Sequence, residues 1–317
     1  MQISLITPAG KQSRNGNRTT AIRWQRILQE LGHSVRVDTA YDGSPADMMI
    51  GVHAWRSARS IENFRTRYPE RPMIVLLSGT DIYKFQHSHP ETTLRSMDLA
   101  DRLVCLHDLV HQDIPRRFAN KLTVIHQSAP PLATPRQPSR RRFDICVVGH
   151  LREEKDSLRT AEAALLLPPE SRLRVLHYGK AHDESWAERA QREVARNPRY
   201  QWRGEVPGWM VRRAFAKCHL MVLSSIMEGG ANVVSEAVAA GLPVIASDIS
   251  GSVGLLGSDY GGYYPVGDTQ ALADRLRQAE TDPAYLEQLA VQCRQLAPLF
   301  DAEREKRAWQ DVLQRLQ

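Results

Sequence analysis

The chain has 317 residues, 42% of them hydrophobic and 25% charged, with a formal net charge of +6; this describes a soluble globular protein long enough for two ordinary domains. No run of eighteen apolar residues occurs and the opening MQISLITP lacks the basic start and cleavage site of a signal peptide, so neither a spanning helix nor stable membrane association is expected. The arginines are scattered among Asp and Glu and no nucleic-acid motif is present, so no nucleic-acid partner is expected, and the basic balance suits a small anionic substrate.

Cys105, Cys146, Cys218 and Cys293 are far apart with no C-x-x-C pair, which predicts reduced, packed thiols in a cytoplasmic protein. The apolar run at 3–6 predicts the first strand, and 7–17 a polar loop. A helix is predicted from Arg18, with Ala21, Trp24, Ile27, Leu28 and Leu31 at helical spacing and Gly32 as its stop. A strand at 35–37 completes the βαβ opening of a Rossmann-like domain. The first loop lacks G-x-G-x-x-G, so no nicotinamide cofactor is predicted. Its Lys11, Arg14, Asn17 and Arg18 read either as an anion cradle or as a solvated basic segment.

Strands are predicted at 47–52, 73–77, 103–106 and 122–125. The first runs into His53, with Arg56 close behind, and His53 reads either as a packed residue or as one touching substrate. The second ends in Ser78-Gly79-Thr80-Asp81, where Asp81 reads as a helix cap. His107 and His126 end the other two, and none of these histidines has a ligand partner at metal spacing. The Pro- and Arg-rich stretch 130–143 reads as a linker. The domains are expected at 1–131 with 302–317, and at 143–301, joined by 132–142.

In the second domain, strand 144–148 leads into Gly149-His150-Leu151-Arg152-Glu153-Glu154-Lys155-Asp156, and strand 173–176 into His177-Tyr178-Gly179. A helix at 211–218 and a buried strand at 220–223 precede Glu228-Gly229-Gly230. A helix with Val233, Val234, Ala237 and Val238 on one side follows, ended by Gly241 and Pro243. A loop at 249–254, a closing strand at 260–266, and helices at 269–280 and 302–316 complete the chain. The Glu228 loop sits at the carboxyl end of a strand and the amino end of a helix, where doubly wound sheets bind ligands. Its glycines read as places for a ligand to approach the backbone, and its N–H groups favour a phosphate. Two carboxylates flanking an anion site have a common task if Glu228 and Glu236 each hold hydroxyls around a diphosphate. A nucleotide sugar has that layout. The competing reading makes Glu228 a cap and Glu236 a solvated helix residue.

Glu228 and Glu236, with seven residues between them and followed by Gly241 and Pro243, resemble the E-x7-E signature of the GT-B glycosyltransferases. The resemblance implies an α/β fold of two Rossmann-like domains facing across a cleft, with the C-terminal helix crossing back to the first. It implies that Glu228 contacts the donor sugar, Glu236 the ribose, and the glycine-rich backbone the phosphates. Residues 149–156 resemble the family's G-R-L-x-x-x-K-G. Lys155 matches its Lys, His150 stands at its Arg, with Arg152 as a substitute, and Asp156 stands at its Gly. Ser78-Gly79-Thr80-Asp81 resembles H-G-T-D.

A narrower resemblance spans nearly the whole chain. GNRTTA in the first loop and EGGANVV, in place of the commoner EGFGLVV, are similar to the selenosugar synthases of selenoneine biosynthesis, which join selenophosphate to a UDP-sugar (UDP-GlcNAc or UDP-glucose) with release of UDP. This implies Lys155, Glu228 and His53 as catalytic residues. It implies His150, Arg152, Lys155, Gly179, Glu228, Gly229, Gly230, Ala231, Asn232, Val233 and Glu236 at the donor, and Arg14, Asn17, Arg18, Thr19 and Arg56 at the acceptor substrate. No cofactor and no metal are implied, and the pathway partners are a selenophosphate-producing enzyme and a selenoneine synthase. The alternative is a hexosyltransferase acting on a small-molecule or lipid hydroxyl.

Overall fold

The computed structural model describes every residue except Arg14 and Gln317. The chain divides into two compact units: Met1–Gln127 with Glu228–Asn232 and Ala302–Gln317, and Ser128–Met227 with Val233–Asp301.

The first unit carries a parallel six-stranded sheet of β1 (Gln2–Ile6), β2 (Ser34–Asp38), β3 (Met48–Val52), β4 (Met73–Leu76), β5 (Arg102–Cys105) and β6 (Leu122–Val124), in the order β2-β1-β3-β4-β5-β6. Its central strands are apolar throughout because both faces are covered. Ile3 and Leu5 point into one core with Trp24 and Leu28, and Ile6 and Met49 into the other with Phe64 and Met97. The C-terminal helix Ala302–Gln314 packs on helix Gly16–Glu30, with Trp24 and Trp309 edge to face at 4.7 Å. Its return to the first unit follows the expectation. Strand order reverses between β1 and β3, so the loops leaving these strands lie at the switch point.

The second unit repeats the plan with β7 (Phe143–Val148), β8 (Leu173–Tyr178), β9 (Tyr200–Trp202), β10 (Leu220–Leu223), β11 (Val244–Ser247) and β12 (Tyr263–Tyr264), in the order β12-β11-β10-β7-β8-β9. Here the reversal falls between β7 and β10.

Several expected elements differ. The first helix starts at Gly16, capped by the Asn15 side chain, which accepts from the Arg18 N–H. Asn17, Arg18 and Thr19 therefore lie in its first turn, and the low helix propensity of Gly16 and Asn17 hid the start ahead of Arg18. The loop expected at 249–254 is largely the helix Ser250–Leu256, and the closing strand shrinks to Tyr263–Tyr264. Helices Ala58–Arg67, Pro90–Leu99 and Pro283–Leu296 were not expected. The linker is not loose. The Arg136 guanidinium donates to the carbonyls of Phe215, Cys218, His219 and Gly241, and the Gln137 N–H donates to Ala216 O at 2.8 Å, all within the second unit. All four cysteines are buried and free. Among the described residues no helix is long and apolar enough to cross a membrane.

Candidate active site

In the second unit, residues 149–156 leave β7 beside the loop that leaves β10. They close in a short 3-10 turn, Glu153–Lys155, followed by Asp156 at φ +42°. That left-handed position explains the glycine in the pattern the stretch resembles, since glycine adopts it without strain. Asp156 holds it with its carboxylate fixed by Arg159 at 2.7 Å. Ser224 Oγ donates in shared fashion to the Lys155 and Asp156 carbonyls, each at 3.0 Å, and the Ile226 N–H donates to Glu154 O at 3.0 Å. The loop is thus tied to the end of β10 by its backbone.

Gly149 is clamped from below. The His177 ring lies between Tyr200 Oη at 2.9 Å and Gly149 O at 3.1 Å. Burial pushes its pKa down to about 4, so the ring is neutral, with Nε2–H donating to Gly149 and Nδ1 accepting from Tyr200. Gly179, at φ +156°, leaves no room for a side chain, because a Cβ would fall far inside contact distance of Gly149 O. Gly179 is therefore required by packing at the switch point. Gly149, Lys155, Ser157, His177, Ser224 and Ser225 line a crevice there, and the Lys155 stem runs alongside Gly149, 3.8 Å from where a Cβ would sit.

His150 Nδ1 accepts from the Lys180 N–H at 3.2 Å, so its Nε2 carries the proton and is a donor. Its pKa lies below the usual value, chiefly through burial and then through Lys180, Arg152 and Lys155, with Glu205 opposing. Arg152 is half-exposed, 4.0 Å from Glu154. Glu236 lies half-buried in helix Asn232–Ala239 with Val233 one turn earlier.

In the first unit the segment Glu228–Asn232 packs on the ends of β4 and β5. Glu228 is buried, 9% exposed, and Ala231 is buried with it. Gly229 and Gly79 lie back to back. A Cβ on Gly79 would be 2.7 Å from Gly229 N, and one on Gly229 would overlap Gly79 N and Ser78 C. A Cβ on Gly230, at φ +124°, would overlap Leu106 Cβ. On the side where a Cβ would point, Gly229 meets the protein's own backbone and Gly230 meets Leu106, so packing excludes a side chain at both.

His53 is also corrected. It ends β3 at φ +77° and is 1% exposed. Nε2 lies 2.8 Å from Thr80 Oγ1, and Nδ1 accepts from the Arg56 N–H at 3.2 Å. Nδ1 being an acceptor, the proton sits on Nε2 and is given to Thr80, so both nitrogens are spent inside the loop. Burial also holds the pKa below its usual value, against the pull of Asp81. His53 organises the turn and has no nitrogen left for substrate. Asp81 does more than cap: its carboxylate accepts the N–H groups of Ala54, Ser78 and Gly79 and binds the β3 and β4 loops together.

Of the residues expected at the acceptor substrate, Asn17 and Arg18 are half-buried and Thr19 exposed in the first helical turn, and Arg14 lies outside the described residues. Arg56 sits apart from that turn in its contacts, 5.9 Å over Phe85, which stacks on Trp55. His107 is a buried structural residue, hydrogen-bonded to Tyr83 Oη at 3.0 Å. Among the described residues no cluster of three or more His, Cys, Asp or Glu side chains could hold a metal ion.

Two parallel doubly wound sheets, each with a loop cluster at its switch point, and a C-terminal helix returning to the first unit are the GT-B type of fold. Residues 135–296 match the family model described as glycosyl transferases group 1, and the chain belongs to that family. Among solved structures, the chain is similar to Anabaena HepE in complex with UDP and glucose, at 15% identity and TM-score 0.79 over 99% of both chains. It is similar to sucrose-phosphate synthase from Thermosynechococcus elongatus, at 17% identity and TM-score 0.80 over 99% of this chain and 98% of that one. A glycosyltransferase from Rickettsia africae matches at 14% identity and TM-score 0.72 over 99% of this chain and 98% of the other. At these identities the likeness is one of fold.

Proposed function

We propose that the protein is a UDP-sugar-dependent glycosyltransferase whose acceptor substrate is selenophosphate. Selenium attacks the anomeric carbon, a C–Se bond forms, the C–O bond to the diphosphate breaks, and the electron pair leaves with UDP. Water then cleaves the Se–P bond to give the selenosugar and orthophosphate. The observation that carries the donor half is Lys155, set in the crevice at the β7–β10 reversal on a loop tied by its backbone to β10. A fixed cation there stabilises charge growing on the leaving diphosphate. The UDP seen in the HepE structure of the same fold supports the choice of donor. Arg152 and the His150 Nε2–H assist at the diphosphate, Glu236 accepts from ribose and Glu228 from hexose hydroxyls, and the 229–233 backbone donates to phosphate oxygens.

The acceptor half rests on a polar, cationic first turn, Asn17, Arg18 and Thr19, and on the commitment of His53. A hydroxyl acceptor calls for removal of a proton, and the imidazole expected to touch substrate, His53, has both nitrogens engaged. Selenophosphate is already anionic and strongly nucleophilic at selenium, so it needs cations and positioning more than a base. The test is mass spectrometry of the purified protein with UDP-glucose or UDP-N-acetylglucosamine, with and without selenophosphate. A seleno-hexose with UDP released only when selenophosphate is present is the expected result. Donor binding without that product, or transfer to a hydroxyl acceptor, would remove selenophosphate from the reading.

His150 makes the donor step pH-sensitive. Its pKa in the free protein is already below the ordinary imidazole value, and a bound diphosphate, being anionic, raises it. Donor binding therefore takes up a proton. Affinity rises as pH falls through the bound pKa and levels off below the free one, by up to about tenfold per unit of difference. The expected result is a donor KM that falls on acidification in the wild type and is flat in His150→Arg. A flat wild-type profile would place His150 away from the diphosphate.

A further inference from the structure

Arg23 carries no expectation from the sequence, yet its guanidinium joins two distant segments of the first unit. Nε lies 3.2 Å from Glu305 Oε1 and Nη1 donates to Asn232 Oδ1 at 2.9 Å. Glu305 is 1% exposed and also accepts from Trp24 Nε1 at 3.0 Å, so Arg23 is braced against a buried, fixed carboxylate. A guanidinium has donors and no acceptor, so the Asn232 atom facing it must be the oxygen. The amide nitrogen is thereby turned outward. It lies 3.8 Å from where a Cβ on Gly16 would sit, beside the turn that holds Asn17 and Arg18. Among the described residues, Nη2 of Arg23 is buried with no hydrogen-bond partner, so the guanidinium has a further hydrogen bond to give.

Asn232 cannot drift from this place, because the segment that carries it is locked to the first unit by the close backbone contacts of Gly229 and Gly230. In the commoner EGFGLVV pattern the position of Asn232 is Leu, which offers no hydrogen bond. Two of this chain's three departures from that pattern, Gly230 and Asn232, thus act together: one lets the segment seat against Leu106, the other meets Arg23.

We infer that Asn232 is a specificity-determining residue that donates its amide N–H to the anionic acceptor substrate, with Arg23 as the positioning residue that fixes which end of the amide faces it. This rests on the selenophosphate reading for the identity of the acceptor, and moves Asn232 from the donor side to the acceptor side. Without Arg23 the amide can turn its oxygen toward the anion, which exchanges attraction for repulsion.

The experiment measures selenophosphate KM and kcat, UDP affinity by calorimetry and Tm for the wild type, Arg23→Ala, Asn232→Asp and Asn232→Leu. Binding of inorganic orthophosphate is measured on the same proteins as an unreactive anion probe. Asn232→Asp keeps the contact with Arg23 and the size of the side chain while removing the donor, so it tests the inference even if Arg23→Ala folds poorly. The expected result is a rise of roughly tenfold to a hundredfold in selenophosphate KM and a parallel loss of orthophosphate affinity, with UDP affinity and the Tm of the Asn232 variants unchanged. Unchanged orthophosphate affinity in Asn232→Asp and Asn232→Leu, or no orthophosphate binding by the wild type, overturns the inference. A wild type that makes no selenosugar but binds orthophosphate in an Asn232-dependent way would sink the selenophosphate reading and leave the assignment of Asn232 to an anion standing.

Discussion

Lys155→Ala is expected to lower kcat by about two to three orders of magnitude, the loss associated with removing one preorganised charge-stabilising group. The loop that carries Lys155 is held by backbone hydrogen bonds from Ser224 and Ile226 and by the Ser157 hydroxyl, none of which involves the lysine side chain. The charge is needed most when the sugar–phosphate bond is breaking, so kcat should fall by much more than donor affinity does. The check is single-turnover kinetics alongside calorimetric UDP binding. A change confined to KM would mean that Lys155 only binds the ground state. A fall of less than tenfold would pass the main electrostatic role to Arg152 or His150.

What the sequence made legible was local. Buried parallel strands announce themselves as short apolar runs, and both sheets followed from them. The 149–156 stretch was legible as a loop leaving a strand because its pattern lies in one contiguous segment. Asp156 shows why even its departure from the pattern could be placed: the left-handed φ falls where glycine was expected. Helices Ala58–Arg67 and Pro90–Leu99 escaped because few apolar residues mark their inner faces; in the first, only Ile61 and Phe64 are buried hydrophobics. The larger misses were long-range. His53 looked available because nothing near it in sequence shows Thr80 across the next strand. Arg23 drew no expectation because its partner Glu305 is 282 positions away. The packing of Gly229 escaped because its neighbour, Gly79, belongs to another strand end.

Gly229→Ala is expected to reduce kcat/KM by about a hundredfold or more and to lower the Tm of the ligand-free protein. The added methyl would overlap Gly79 N and Ser78 C, which are backbone atoms at the end of β4 and cannot rotate away as a side chain can. The turn they belong to is braced by the Asp81 carboxylate through the N–H groups of Ser78 and Gly79, so the strain must be relieved by the Glu228–Asn232 segment leaving its seat. Overpacking of this kind costs roughly 1–3 kcal/mol. Displacing Glu228 and Asn232 by about 1 Å is enough to cost on the order of a hundredfold in rate. Gly208→Ala is the matched control: at the start of helix Gly208–Lys217, a Cβ there meets nothing within 4 Å, and both activity and Tm should hold. The two accounts of Gly229 separate in the ligand-free state. If the glycine served to admit a ligand to the backbone, Gly229→Ala would bind donor poorly while its unliganded Tm and the hydrogen exchange of residues 228–232 stayed at wild-type values. If it serves to seat the segment on Gly79, both change before any ligand is added.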